Sequence, residues 1–260
     1  MLAITLVGHS ALLLSLPLRR RDPQRHLRVR NAIFRAWARG LLRGANVRID
    51  VTGEPPPAGT SFVLVSNHLA YLDIPLLARF AQASFIGKAE LRRWPLFGPA
   101  FVAADTIFID RARKRDLVRV MAQMRASLAR PLGVALFPEG TSGSGDALLP
   151  FKPSLLELAV REGAPVYCAV VDYDTPDGWP PPHVAVCWWG NMLFLPHAIQ
   201  MLRLPFIEAR ICFLPPRAPA EDASNEHGSV GAAGRKQLAN QLRQEMETAF
   251  SALRAARRRA

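Results

Sequence analysis

The chain has 260 residues, half of them hydrophobic, with a formal net charge of +12 and a pI near 10.8. That apolar content supports a sizeable core and excludes general disorder. The charge excess favours anionic partners, namely acidic headgroups, anionic substrates or nucleic acid, without choosing among them.

Leu2 to Leu18 is largely apolar, interrupted by Gly8, His9 and Ser10, and Arg19, Arg20 and Arg21 follow at once. A spanning helix needs about 20 apolar residues, so this segment is marginal. Its positive charge follows the apolar run, the reverse of a signal peptide. The reading is a short anchor or interfacial helix with arginines at the cytoplasmic headgroups; a soluble buried helix is the plainer alternative. From Arg25 to Arg48, Leu27, Val29, Ile33, Trp37, Leu41 and Leu42 recur near helical spacing among Arg28, Arg30, Arg35, Arg39 and Arg43. This pattern suits a helix on an anionic membrane surface.

Strands are expected at 47–51, 61–65, 84–88, 106–109, 133–137, 165–171, 184–189 and 207–214, and helices at 74–81, 116–129, 151–162 and 235–253. Residues 94–99 read as a loop or broken helix, 142–146 as a flexible loop and 215–234 as a polar linker. Met192 to Leu204 is apolar without an assigned element. Alternating strands and helices give an α/β fold: a mostly parallel central sheet flanked by helices, with an N-terminal membrane-associated helical segment. The expected organisation is a membrane-associated region at 1–44, a catalytic domain at 45–215, and a linker with a basic amphipathic helix at 216–260. Cys168, Cys187 and Cys212 form no CxxC pair and sit in apolar runs, so buried reduced thiols are expected, consistent with a reducing cytosolic face.

Three motifs carry chemistry. Asn67-His68 is followed by Asp73 directly after an apolar run. Histidine is a good base near neutral pH, and a carboxylate at its other ring nitrogen fixes the tautomer and stabilises the imidazolium. Within a continuous helix the two side chains would diverge by about 140°, so the pair needs a strand–loop–helix junction, with Asn67 as a cap-type residue. Phe108-Ile109-Asp110-Arg111 places an arginine at a strand end, and Phe137-Pro138-Glu139-Gly140-Thr141 places a carboxylate and a glycine at another. Strand ends of open α/β sheets bind ligands. Arg111 is suited to clamp a phosphate, and Gly140 lets backbone amides approach one. The plainer readings are a surface ion pair for Arg111 and a helix N-terminal carboxylate for Glu139.

Together with Pro165-Val166-Tyr167, these motifs resemble those of the glycerolipid acyltransferase family, the 1-acylglycerol-3-phosphate acyltransferases and their relatives. All four stand in family order, and the resemblance covers roughly residues 45–215. It implies acyl transfer from acyl-CoA or acyl-carrier protein to a lysolipid hydroxyl, with His68 as general base, Asp73 orienting it, and Asn67, Arg111, Glu139, Gly140 and Thr141 on the acceptor. No metal or bound cofactor is implied. Asp105 replaces the glycine that commonly opens the second motif, Ser142 an arginine after the third and Cys168 a proline of the fourth. Lys152 is a candidate replacement for the missing cation. The acceptor expected first is 1-acylglycerol-3-phosphate, giving phosphatidate, with lyso-ornithine lipid as the alternative. Two other classes stand beside acyl transfer. One is an acyl-thioester hydrolase using the same base on water. The other is a non-catalytic basic binder, for which the chain offers no recognisable nucleic-acid module. Gly140-Thr141-Ser142-Gly143-Ser144 misses G-x-S-x-G at its last position, against a serine hydrolase.

Overall fold

The computed structural model describes residues 2–94, 97–110, 112–113, 115–156, 163–217 and 232–257. The chain is of the α/β class, with mostly parallel strands flanked by helices. It forms two compact units that interleave in sequence: Met1–Gly44 with Pro57–Ser61 and Ile74–Ala135, and Ala45–Pro56 with Phe62–Asp73 and Leu136–Ala260. One break falls after Gly44, at the expected boundary, whereas Leu136–Ala260 runs through position 215 undivided, because the C-terminal helix packs on its own unit's sheet.

In the first unit the strands run in the order β5 (Gly133–Leu136), β3 (Ala83–Lys88), β4 (Ile107–Ile109), all parallel. Its helices are α1 (Leu2–Ser15), α2 (Leu18–Arg21), α3 (Pro23–Gly44), α4 (Asp73–Phe80), whose first residue belongs to the other unit, α5 (Gly98–Ala103) and α6 (Asp116–Leu128). α1 lies against α3 and α5. Glycines permit the close approach: a Cβ on Gly8 would meet the Trp37 side chain at 3.0 Å, and one on Gly40 would meet Ile4 at 2.9 Å. Leu12, Ala103 and Ala104 form a core with Leu16, Ile33 and Phe34 around it.

α1 has 14 residues, about 21 Å at 1.5 Å per residue, short of a hydrocarbon core of about 30 Å. No helix among the described residues is long and apolar enough to cross a membrane. Val7 and Leu14 on α1 remain exposed.

Arg30 corrects the picture of α3 as a row of surface arginines. It is 1% exposed. Its guanidinium donates to Asn31 Oδ1 at 2.6 Å, to the Ala83 carbonyl at 3.2 Å and to the Ala104 carbonyl. Burial lowers its pKa to about 10, so it stays charged at neutral pH. Helical periodicity places Arg30 on α3 but cannot show that two strand- and helix-end carbonyls converge on it. Arg28, Arg39 and Arg43 are exposed, as expected.

In the second unit the order is β1 (Val47–Thr52), β7 (Ile207–Phe213), β6 (Val166–Asp174), β2 (Val63–Ser66). β1 and β7 are parallel, β2 and β6 are parallel, and β6 and β7 are antiparallel. β2 is buried at all four positions, the pattern of a strand covered on both faces. Beyond β6 lie two short helices, α7 (Pro182–Ala185) and α8 (Phe194–Leu202), and the long α9 (Ala232–Arg257). α9 covers β6 with Leu242, Met246 and Phe250 buried.

One strand assignment changes: the expected strand at 184–189 is α7 and a loop. Pro181 and Pro182 preset the first helical turn, and the amides of Val184 and Ala185 donate to the Pro181 carbonyl. Of the helix expected at 151–162, the described residues show a 3₁₀ turn at Pro153–Leu155, and residues 157–162 lie outside those described. None of the three cysteines is in a disulfide, with Cys168 and Cys187 buried and Cys212 partly so.

Replacing Arg30 by Ala leaves two buried carbonyls without donors, at about 1–3 kcal/mol each. Urea denaturation of Arg30→Ala is expected to show a loss of about 2–4 kcal/mol, only partly restored by Lys. An unchanged midpoint would contradict the assigned role.

Candidate active site

Every described element of the site belongs to the second unit. β2 ends at Ser66, and the chain then leaves the sheet in an irregular loop that closes on Asp73, the first residue of α4. Asn67 makes this departure possible. Its side-chain amide donates to the Val171 carbonyl at 2.8 Å and its oxygen accepts the Val171 N–H at 2.7 Å. The side chain thus replaces one backbone step of the β2–β6 ladder. It is fully buried with both amide atoms paired to Val171, so Asn67 shapes the loop and does not cap α4.

Asp73 gathers the loop. It is 0% exposed. Its Oδ2 accepts hydrogen bonds from the Leu69 and Ala70 amides at 2.7 and 2.9 Å and lies 2.7 Å from His68 Nδ1. Its Oδ1 accepts the Tyr173 hydroxyl at 2.7 Å. A carboxylate with four partners at the start of a helix is a well-stabilised anion. Facing an anion that only accepts, His68 Nδ1 carries the proton, leaving Nε2 as the basic nitrogen. Among the described residues Nε2 has no hydrogen-bond partner. The imidazole is 20% exposed and stacks on Phe137 with centroids 4.0 Å apart and planes at 16°.

The Phe137–Thr141 turn is bolted to the same loop. Glu139 Oε1 accepts the His68 amide at 2.8 Å, Oε2 accepts the Leu149 amide at 2.9 Å, and the Gly143 amide donates to the His68 carbonyl at 2.8 Å. Glu139 is therefore a buried brace between two loops. Burial raises its pKa from 4.5 to about 7, against the opposing pull of the two amides. Gly140 has φ +73°, and a Cβ there would come within 2.8 Å of Lys152 Nζ. The positive φ favours glycine, whereas the close contact is with the mobile end of a lysine side chain. Lys152 is anchored by its amide to the Pro138 carbonyl at 2.8 Å, so the turn carries an exposed cation beside the Gly140 backbone. Thr141 is exposed. Arg111 lies outside the described residues.

The structure thus brings His68, Asp73, Glu139, Gly140 and Lys152 together. Residues 48–172 match the acyltransferase family model. This chain carries an acyltransferase-family domain. Among relatives of that domain, a 1-acyl-sn-glycerol-3-phosphate acyltransferase of Neisseria gonorrhoeae is 35% identical over 145 residues, covering 55% of this chain and 56% of its own. A lyso-ornithine lipid O-acyltransferase of Brucella abortus is 33% identical over 165 residues, covering 60% and 62% respectively. The match to the Neisseria protein thus spans little more than half of that relative's length. The crystal structure of the acyltransferase PlsC from Thermotoga maritima superposes with a TM-score of 0.71 over 97% of this chain and 90% of its own, at 20% identity. That likeness establishes the shared fold.

Sequence reasoning missed Tyr173 in this domain. A tyrosine inside a buried strand signals a hydroxyl in need of a partner, but the 100 residues separating it from Asp73 hide which one. Tyr173→Phe removes one hydrogen bond to a buried anion, about 1.5 kcal/mol or more. Turnover is expected to fall about tenfold with substrate affinity retained. Wild-type turnover in the folded variant would exclude this role.

The raised pKa of Glu139 makes a separate prediction. The fold prefers the neutral form, so its stabilising contribution is complete below pH 4.5 and is lost as pH rises through about 7. Melting temperatures of wild type and Glu139→Gln, followed across that window, are expected to differ in slope, with the Glu139 component absent from the variant.

Proposed function

We propose that the protein transfers an acyl group from acyl-CoA or acyl-carrier protein to the free hydroxyl of a lysolipid at a membrane surface. The observation that carries this reading is the His68–Asp73 couple, with Nδ1 committed to a buried carboxylate and Nε2 without a partner. Such a base activates a hydroxyl without an enzyme-bound acyl intermediate. His68 Nε2 takes the proton of the acceptor hydroxyl as its oxygen bonds to the thioester carbonyl carbon. The tetrahedral intermediate collapses, the carbon–sulfur bond breaks, and the leaving thiolate takes the proton from the imidazolium. Asp73 keeps the proton on Nδ1 and offsets the imidazolium charge. Arg111, Thr141, Lys152 and the Gly140 backbone are assigned to the acceptor's polar group, with Glu139 holding their turn in place. In this scheme the reaction uses no metal and no cofactor beyond the thioester donor.

The acceptor read first is 1-acylglycerol-3-phosphate, giving phosphatidate. A lysine beside a glycine turn suits a phosphate monoester. Lyso-ornithine lipid is the second reading, favoured by Ser142 where many relatives carry an arginine and by relatives bearing that activity's name. Membrane contact is assigned to the exposed apolar side chains of α1, with Arg28, Arg39 and Arg43 of α3 meeting anionic headgroups on the cytoplasmic side.

His68→Ala and Asp73→Ala are expected to lower transfer by about 10²–10⁴-fold, measured with a radiolabelled acyl thioester against lysophosphatidate and lyso-ornithine lipid, with products identified by mass. His68→Ala should retain the wild-type melting temperature. Full activity in the folded variant would sink the mechanism, and free fatty acid as sole product would identify a thioester hydrolase.

A further inference from the structure

α8, like α1, is a described surface helix that is apolar on both sides. Its inner side is conventional, with His197 and Met201 buried and Phe194 partly so. Its outer side carries Leu195, Ile199 and Leu202 at spacings of four and three, and Leu193 leads into it. These side chains are 66%, 46%, 42% and 73% exposed, in that order. A helix that is hydrophobic all round belongs in a buried or membrane setting, and a cluster of exposed large aliphatics marks an interaction surface.

The surroundings of this face identify its occupant. Between Asp177 and Glu208 the sequence contains no carboxylate. Trp179 and Trp189, in the segment leading into α8, are exposed, and the Trp189 indole is satisfied by the His183 carbonyl at 2.9 Å. Exposed indoles beside an apolar helix are the composition of a headgroup boundary. Arg203 follows α8 directly, and the Arg48 guanidinium lies over the Phe206 ring at 3.6 Å to the centroid. An apolar face with tryptophan before it, arginine after it and no acidic residue complements an anionic bilayer. A second copy of this chain would bring the same arginines and a net charge of +12 against themselves.

α8 is also fastened to the catalytic loop. Tyr71, three residues after His68, sets its hydroxyl 3.1 Å from His197 Nδ1 and its ring edge-on to Phe194, with centroids 5.0 Å apart. Just ahead of α8, the Trp188 amide donates to the Leu69 carbonyl at 2.8 Å, and the Ser142 hydroxyl donates to the Trp188 carbonyl. The helix with the free apolar face and the loop that carries the base are therefore one packed piece.

We propose that the outer face of α8 is an interfacial docking surface, which enters the boundary between headgroups and acyl chains of an anionic bilayer and presents His68 to an acceptor embedded there. This rests on the lysolipid-acyltransferase reading for the identity of the acceptor. The docking itself is a separate contact from that of α1.

Two measurements on the full-length protein test it. First, Leu195→Cys is labelled with an environment-sensitive fluorophore and mixed with vesicles of phosphatidylcholine and phosphatidylglycerol, labelled wild type providing the background from native cysteines. A blue shift, with quenching by lipids carrying a nitroxide on the acyl chain, is expected. An unshifted, unquenched label would overturn docking whatever α1 does. Second, Leu195→Ser/Ile199→Ser is compared with wild type on lysophosphatidate embedded in vesicles and on a short-chain analogue kept monomeric. Transfer to the embedded acceptor is expected to fall about tenfold or more, because two large aliphatic side chains no longer leave water on docking. Transfer to the monomeric acceptor should stay at the wild-type rate. An equal fall on both acceptors would place α8 in the substrate site and overturn the proposal. So would a wild-type dimer in sedimentation that the double variant abolishes. If wild type transfers to neither acceptor, the acyltransferase reading fails while the fluorescence result still decides whether α8 meets lipid.

Discussion

The buried carboxylate of Asp73 is the constraint on which the site depends. Burying an unpaired anion is prohibitive, and here four donors surround it: two amides of its own loop, His68 and Tyr173. Each of these bonds fixes a different part of the site. The Leu69 and Ala70 amides curl the loop back onto the start of α4. His68 receives its tautomer. Tyr173 ties the arrangement to the interior of β6. The imidazole needs no further orientation when a substrate arrives, which is the preorganisation that general-base catalysis requires.

Around that centre two polar side chains act as backbone substitutes. Asn67 completes the ladder where β2 turns away, and Glu139 joins the loop of His68 to the segment at Leu149. Both occur in motifs that resemble acceptor-binding sequences, yet both are buried and fully engaged. Of the motif residues described beside them, Thr141 and Lys152 are exposed. Hydrogen-bond donors held at their spots by buried braces form a more exact receptor than side chains on a free loop.

The same braces reach outward. Tyr71 and Trp188 connect the catalytic loop to α8, whose other side is bare hydrocarbon. His68 and the helix with the bare apolar face thus belong to one packed body. α1 and α3 serve the fold as well as the surface, because Arg30 and the helix-contact glycines Gly8 and Gly40 build them into the first unit.

Much of this was legible in the sequence. The period-2 and continuous apolar runs located six of the seven described strands to within about two residues, and β6 over its first two-thirds; the α/β class followed from their alternation with helices. The spacing from His68 to Asp73 and the Phe137–Thr141 turn marked the site, because local chemistry at strand ends is written in consecutive residues. Apolar content alone misread 184–189, where consecutive prolines set a helical turn. Other features depend on pairs distant in the chain: Tyr173 with Asp73, Asn67 with Val171, Arg30 with the carbonyls of Ala83 and Ala104. Sequence alone determined which residues could serve as base and carboxylate, since that follows from side-chain chemistry and local spacing. Only the tertiary structure decided which polar groups are buried braces and which face outward, because burial and hydrogen-bond partnership are set by what the rest of the chain places alongside.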